Sequence, residues 1–125
     1  MDFTAERKAM VDSQVRVNDV TDRAIHLAMM AVPREKFCAP DRAFAAYSEE
    51  PVVIAGERRL MPARDVAKLL QAADAREGEK ALAIAAPYAA ALLARMGVSV
   101  TAQESDDAVF AGQGFDDFQS DGFEV

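Results

Sequence analysis

Residues 80–104 constrain this chain more than any other stretch. Lys80-Ala81-Leu82-Ala83-Ile84-Ala85-Ala86 reads as a short buried strand. Pro87 opens a helix over Tyr88–Met96, since its ring fixes φ at a helical value where no backbone donor is needed, and Gly97 closes it. Ser99-Val100-Thr101-Ala102-Gln103-Glu104 is a second strand that ends on an acid. Strand, tight turn, helix, strand and terminal acid form the opening of a nucleotide-type βαβ unit. The turn in such a unit is expected to be glycine-rich, so that the backbone can adopt positive φ and approach a ligand. Between Lys80 and Met96 there is no glycine.

Length and charge narrow the setting. A chain of 125 residues is expected to form one domain and to bury roughly two thirds of its unfolded surface. The net charge of −7 is a property of one end. Residues 1–104 carry 14 basic and 15 acidic groups, whereas residues 105–125 carry Asp106, Asp107, Asp116, Asp117, Asp121 and Glu124 with no Lys or Arg. A nucleic-acid partner is disfavoured, because no net basic face is available for phosphates. No apolar run approaches the ~20 residues that span a bilayer, so no membrane partner is expected. The start, Met1-Asp2-Phe3-Thr4-Ala5-Glu6, lacks a signal-peptide pattern, and Cys38 is the one cysteine. Cytoplasmic localisation is the resulting expectation.

Periodicity organises the rest. Thr4 is placed to cap a first helix with Ala9, Met10, Ser13, Val17 and, less cleanly, Val11 as its apolar stripe. Thr21 is a good N-cap for a second helix over Asp22–Ala31 with a stripe of Ile25, Ala28, Met29 and Val32, stopped by Pro33. Pro33–Phe37 suggests one more helical turn, and Asp41 could cap a short helix through Ala46. Pro51–Ile54 and Arg58–Met61, joined by Ala55-Gly56-Glu57, read as a small hairpin or two extended arms. Pro62 begins a helix to about Ala73 whose apolar face is Val66, Leu69, Leu70 and Ala73. The domain expectation is therefore 1–104, with a helical part over 1–50, hairpin or arms over 51–61 and a helix plus βαβ unit over 62–104. Residues 105–125 form an acidic tail containing Phe110, Phe115, Phe118 and Phe123.

Several of these segments occur in the order of a known family. They are Met10-Val11-Asp12-Ser13-Gln14-Val15-Arg16, Asn18-Asp19-Val20-Thr21-Asp22, Val32-Pro33-Arg34-Glu35-Lys36-Phe37, Leu60-Met61, Ala67-Lys68-Leu69-Leu70-Gln71, Gly78-Glu79-Lys80 and Tyr88–Met96. Over about residues 5–104 the chain resembles the protein-L-isoaspartate O-methyltransferase family, particularly its shorter bacterial members. The resemblance implies an α/β fold: N-terminal helices plus a truncated Rossmann-like core of the type that binds S-adenosylmethionine. It implies an activity too, methyl transfer from that cofactor to the side carboxylate of an isoaspartyl residue, a repair reaction. Glu104 would bind the ribose hydroxyls, and Tyr88 would face the cofactor.

The chain departs from the family pattern in three ways. Ala83 stands where the family has an acid, and Ala85-Ala86-Pro87-Tyr88 replaces Gly-x-Gly-x-Gly-Tyr, about two residues shorter. The hydroxyl residues expected before Pro62 are replaced by Arg58, Arg59, Leu60 and Met61. The family continues through further strands and helices. In the implied topology Ala81–Ala85 is central, with Ser99–Glu104 on one side only. Its other edge is expected to be covered by the tail, the hairpin, a second copy or another protein, homodimerisation being the simplest solution.

The resulting expectation is a catalytically inactive relative (a pseudoenzyme) with no cofactor, acting through protein–protein contacts in a regulatory or adaptor-like role. The alternative is an S-adenosylmethionine-dependent enzyme completed by a partner chain. Glu104 and Tyr88 are then vestigial cofactor residues, or an exposed strand-end acid and a packed aromatic. Phe110, Phe115, Phe118 and Phe123 either fold back on the sheet or bind a partner. No catalytic residue is assigned. His26 reads as a surface or boundary residue, Cys38 as a buried inert thiol, and Arg58, Arg59 and Arg64 as solvated charge. One His and one Cys leave no ligand set for a metal short of carboxylates alone.

Overall fold

The computed structural model describes residues 2–104 and 123–124. Helix α1 (Thr4–Met10) starts where the Asp2 carboxylate accepts from the Thr4 N–H at 2.9 Å and from its hydroxyl at 2.6 Å. Asp2, not Thr4, therefore supplies the side-chain acceptor at this end. The helix widens into a π-helical segment over Val11–Val15 and tightens to a 3₁₀ turn over Arg16–Asn18. A π turn adds a residue to each ring and rotates the following side chains. The buried face is consequently Met10, Val11, Gln14 and Val15, while Ala9, Ser13 and Val17 of the expected stripe face outward.

Helix α2 (Arg23–Ala31) is capped by Asp22, one residue after the expected Thr21, through its carboxylate and the Ala24 N–H. Ile25, Ala28, Met29 and Val32 are buried as their spacing predicts. Two 3₁₀ helices follow, Arg34–Phe37 and Pro40–Ala45. The second opens on Pro40 and has no side-chain cap, so Asp41 does not serve as one.

Strands β1 (Val52–Ala55) and β2 (Arg58–Leu60) form the antiparallel hairpin, turned at Gly56 with φ 55°. Helix α3 (Ala63–Ala73) follows Pro62. Its buried face is Ala63, Val66, Ala67 and Leu70; Leu69 and Ala73 are exposed. The helical period was right and its phase was offset, because the small residues Ala63 and Ala67 make the closer approach.

The βαβ unit is present: β3 (Lys80–Ile84), α4 (Pro87–Arg95) and β4 (Ser99–Gln103), with β3 and β4 parallel. Strand β5 (Phe123–Glu124) pairs parallel with β4, giving the order β3-β4-β5. Part of the acidic tail thus lies beside β4, away from the β3 edge; Phe110, Phe115 and Phe118 lie outside the described residues. Helix α4 covers one face of the sheet and buries Ala83, Val100 and Ala102. Leu82 and Ile84 point to the other face and are 55% and 65% exposed, so β3 is not the wholly buried strand its composition suggests. Among the described residues no helix is long and apolar enough to cross a membrane.

Candidate functional site

The turn between β3 and α4 stands where a βαβ unit receives its ligand. Ala85 adopts φ 53°, the left-handed conformation that glycine reaches without strain. It is held there from both sides. Its N–H donates to the Gln103 carbonyl at 2.9 Å, and its own carbonyl accepts from Arg58 Nη2 at 3.3 Å. Pro87 then occupies the first helical position, where it has no N–H to offer. The backbone keeps the shape of a glycine turn, but a Cβ projects from it and one donor is gone.

Glu104 lies at the end of β4, and its side chain is 2% exposed. Arg58, from the hairpin, holds both of its oxygens: Nη1 donates to Oε1 and Nη2 to Oε2, the latter at 3.1 Å. A fork-on-fork pair of this kind is strong and geometrically demanding. Two expectations change here. Glu104 is not an exposed acid, and Arg58 is not solvated charge. The hairpin is 46 residues away in sequence, so no local pattern reports the pair. A ribose diol approaching Glu104 would have to displace Arg58 or share the carboxylate with it.

Tyr88 is 1% exposed and packs inward, not toward an open cleft. Its ring lies 5.8 Å from that of Phe37 at 59°, and the Arg34 guanidinium carbon sits 4.9 Å from the ring centre. Burial pushes the Tyr88 hydroxyl up from 10.0 to about 12. Arg34 is itself fully buried, a residue that sequence reasoning passed over inside Val32-Pro33-Arg34-Glu35. It donates from Nε to the Ala46 carbonyl at 2.6 Å and from Nη2 to the Met61 carbonyl at 2.9 Å.

Between the hairpin, α3 and the β3–α4 turn lies a cavity of about 180 Å³, walled by Leu60, Met61, Val66, Leu70, Ala86 and Tyr88 among others. The walls are predominantly apolar, in keeping with Leu60 and Met61 standing where hydroxyl residues were expected.

The remaining candidates fall elsewhere. His26 is 6% exposed, and its Nε2–H donates to the Val20 carbonyl at 2.7 Å, which makes it a core histidine rather than a surface one. Burial raises the Cys38 thiol from 9.0 to about 11, as an inert thiol requires. Arg64 is an exposed partner of Asp65 at 3.5 Å. Arg7, Tyr47 and Glu35 form a part-buried cluster in which Arg7 Nε donates to the Tyr47 hydroxyl at 2.9 Å and that hydroxyl donates to Glu35. Among the described residues no group of His, Cys, Asp and Glu could hold a metal ion.

Comparison with known proteins agrees with the order of the sequence segments. The family model described as Protein-L-isoaspartate(D-aspartate) O-methyltransferase matches residues 5–104. A Protein-L-isoaspartate O-methyltransferase of Methylorubrum extorquens is 37% identical over 110 residues, covering 86% of this chain and 48% of that protein. The similarly named proteins of Gloeobacter violaceus and Roseiflexus castenholzii are 37% and 32% identical, covering 73% and 89% of this chain and 45% and 51% of their own lengths. The chain thus spans about half the length of the curated relatives it matches. With an α/β fold of helices and a Rossmann-like βαβ unit, and with the family match running through both, this chain belongs to the protein-L-isoaspartate O-methyltransferase family.

Proposed function

We propose that this chain is a family member without methyl-transfer activity, which binds no S-adenosylmethionine and acts through protein–protein contacts in a regulatory or adaptor-like role. The observation that carries the reading is the Arg58–Glu104 pair, closed onto the carbonyl of Ala85. The residues present do not fit the cofactor. The Cβ of Ala85 stands where the turn should be bare, Pro87 withholds a donor, and Arg58 competes with the ribose for Glu104. Exchanging the part-buried guanidinium of Arg58 for neutral hydroxyls leaves the buried Glu104 carboxylate uncompensated, which is unfavourable.

Calorimetric titration of the full chain with S-adenosylmethionine tests this directly. No binding is expected at micromolar cofactor, and a micromolar dissociation constant overturns the reading. The second reading, an enzyme completed by a partner chain, is favoured by the retained strand–turn–helix frame and by Glu104 at its usual strand end. Transfer of a radiolabelled methyl group to an isoaspartyl peptide would establish it in place of the first.

For the contact surface we assign the outer edge of β3. Its alternate residues Lys80, Leu82 and Ile84 direct their backbone groups away from β4, since Ala85 bonds inward to Gln103 and Ser99 bonds to Glu79. The exposed side chains of Leu82 and Ile84 add an apolar face, and a second copy of the chain is the occupant proposed. The near-cancelling charge of residues 1–104 gives nucleic acid no purchase.

A further inference from the structure

The β1–β2 hairpin is fixed at its base and pinned at its tip by one side chain. At the base Val52 and Leu60 are buried, the Val53 carbonyl accepts from the Ala39 N–H at 2.9 Å, and the Met61 carbonyl accepts from Arg34 at 2.9 Å. The tip is different. Among the described residues Ala55, Gly56 and Glu57 form no hydrogen bond or ion pair outside the hairpin. Gly56 faces open space, with no atom within 4 Å of where its Cβ would stand. Arg58 is the residue that ties this end to the βαβ unit, through Glu104 and the Ala85 carbonyl.

The hairpin's irregular register sets where that side chain goes. Val53 pairs with Arg59 and Ala55 pairs with Arg58, so Ile54 is the extra residue of a bulge. A bulge re-aims the side chains beside it. Side chains alternate along a strand, so Arg58 shares the inward side with buried Leu60 while Arg59 is turned to solvent. One guanidinium thereby covers both the acid at the end of β4 and the turn that leads into α4.

Of the features that disagree with the cofactor, Arg58 is the one that occupies the site. Ala85 already holds the left-handed conformation of the turn, so its strain is present with or without a ligand. The guanidinium takes both oxygens that a ribose diol would need, and hydrogen bonds between charged groups are stronger than those from neutral hydroxyls. We propose that the hairpin tip is a strap pinned by Arg58 across the β3–α4 turn, and that Arg58 acts as an internal plug which, more than the missing glycines, keeps nucleosides from Glu104. The inference rests on the reading that the unaltered chain binds no S-adenosylmethionine, and it names the residue responsible.

The test is calorimetric titration of the full chain with adenosine and with 2′,3′-dideoxyadenosine, which lacks the diol. The unaltered chain is expected to bind neither. Arg58→Ala should bind adenosine at least about tenfold more tightly than the limit set by the unaltered chain, since a site open no more than about a tenth of the time loses that factor. The dideoxy nucleoside should gain nothing. Ala85→Gly, which removes the Cβ and leaves the pair, should bind no better than the unaltered chain. Arg58→Gln keeps an amide donor for Glu104 and serves if Arg58→Ala loses its fold; its gain should be smaller and in the same direction. Without any ligand, trypsin should cleave after Arg59 about tenfold faster in both Arg58 variants at unchanged far-UV circular dichroism, because the tip opens locally once unpinned. No gain in either Arg58 variant, an equal gain with the dideoxy nucleoside, a gain in Ala85→Gly, or unchanged cleavage after Arg59 would each overturn the proposal. Micromolar binding of S-adenosylmethionine by the unaltered chain is the separate result that overturns the reading beneath it.

Discussion

Ala85 is a residue in a glycine's conformation. At φ 53° its Cβ is strained by about 1–2 kcal/mol relative to a right-handed or extended alanine. The Gln103 and Arg58 hydrogen bonds hold it there. Ala85→Gly relieves the strain while loosening the unfolded chain, so stability should rise by up to about 1 kcal/mol, read as a higher urea midpoint at unchanged slope. A lower midpoint would mean that the methyl group packs usefully. Cys38 makes a second prediction. Its thiol holds its proton to about pH 11 when folded and to 9.0 when unfolded, so its contribution to folding stability is constant below about pH 9 and is lost as pH rises from there toward 11. Tyr88, raised from 10.0 to about 12, extends the loss at the upper end. Urea melts at about pH 8 and about pH 10.5 should show the fall, reduced in Cys38→Ala. At about pH 8 a thiol reagent should label Cys38 slowly in the native protein and rapidly in urea. Among single residues the sequence announced Cys38 well, because burial of a lone thiol between Phe37 and Ala39-Pro40 is a local matter. It misjudged Glu104, Arg58 and His26, because each is defined by a partner from elsewhere or by a backbone carbonyl that no pattern marks.

At the scale of elements, each helix kept or lost its expected face for its own reason. Helix α2 buries the four residues its spacing selects, since it is a regular helix of one pitch. The stripe beginning in α1 is misread because the π turn at Val11–Val15 breaks the 3.6-residue count that the reading assumed. In α3 the count holds, yet alanines rather than Leu69 and Ala73 face inward, and Leu69 instead borders the cavity. Side-chain size decides which face of a helix can approach its neighbours closely, and hydropathy alone does not carry that information. The hairpin was legible because Gly56 sits between two short extended runs. That its first β2 residue reaches the end of β4 was not.

Across the whole molecule the consequence is an open sheet. Helix α4 packs on one face, β5 takes the outer side of β4, and no described strand pairs with the outer edge of β3. Pairing of two β3 edges about a two-fold axis would join the sheets of two copies and match donors with acceptors. Light scattering coupled to size exclusion should therefore give a mass that rises from monomer to dimer with concentration, and Leu82→Lys with Ile84→Lys should return it to monomer without loss of secondary structure. A monomer at all concentrations would remove the second copy as occupant. The order of segments and the periods within them were enough for the sequence to determine the class of fold, the family and the presence of a βαβ unit whose turn lacks glycine. These depend on neighbours along the chain. Tertiary structure alone decided that Arg58 closes on Glu104, that Arg34 is buried against the Tyr88 ring, and that an apolar cavity opens between the hairpin, α3 and the β3–α4 turn. Each of those depends on residues far apart in sequence being brought within a few ångströms, where charge and exclusion of water act with full strength.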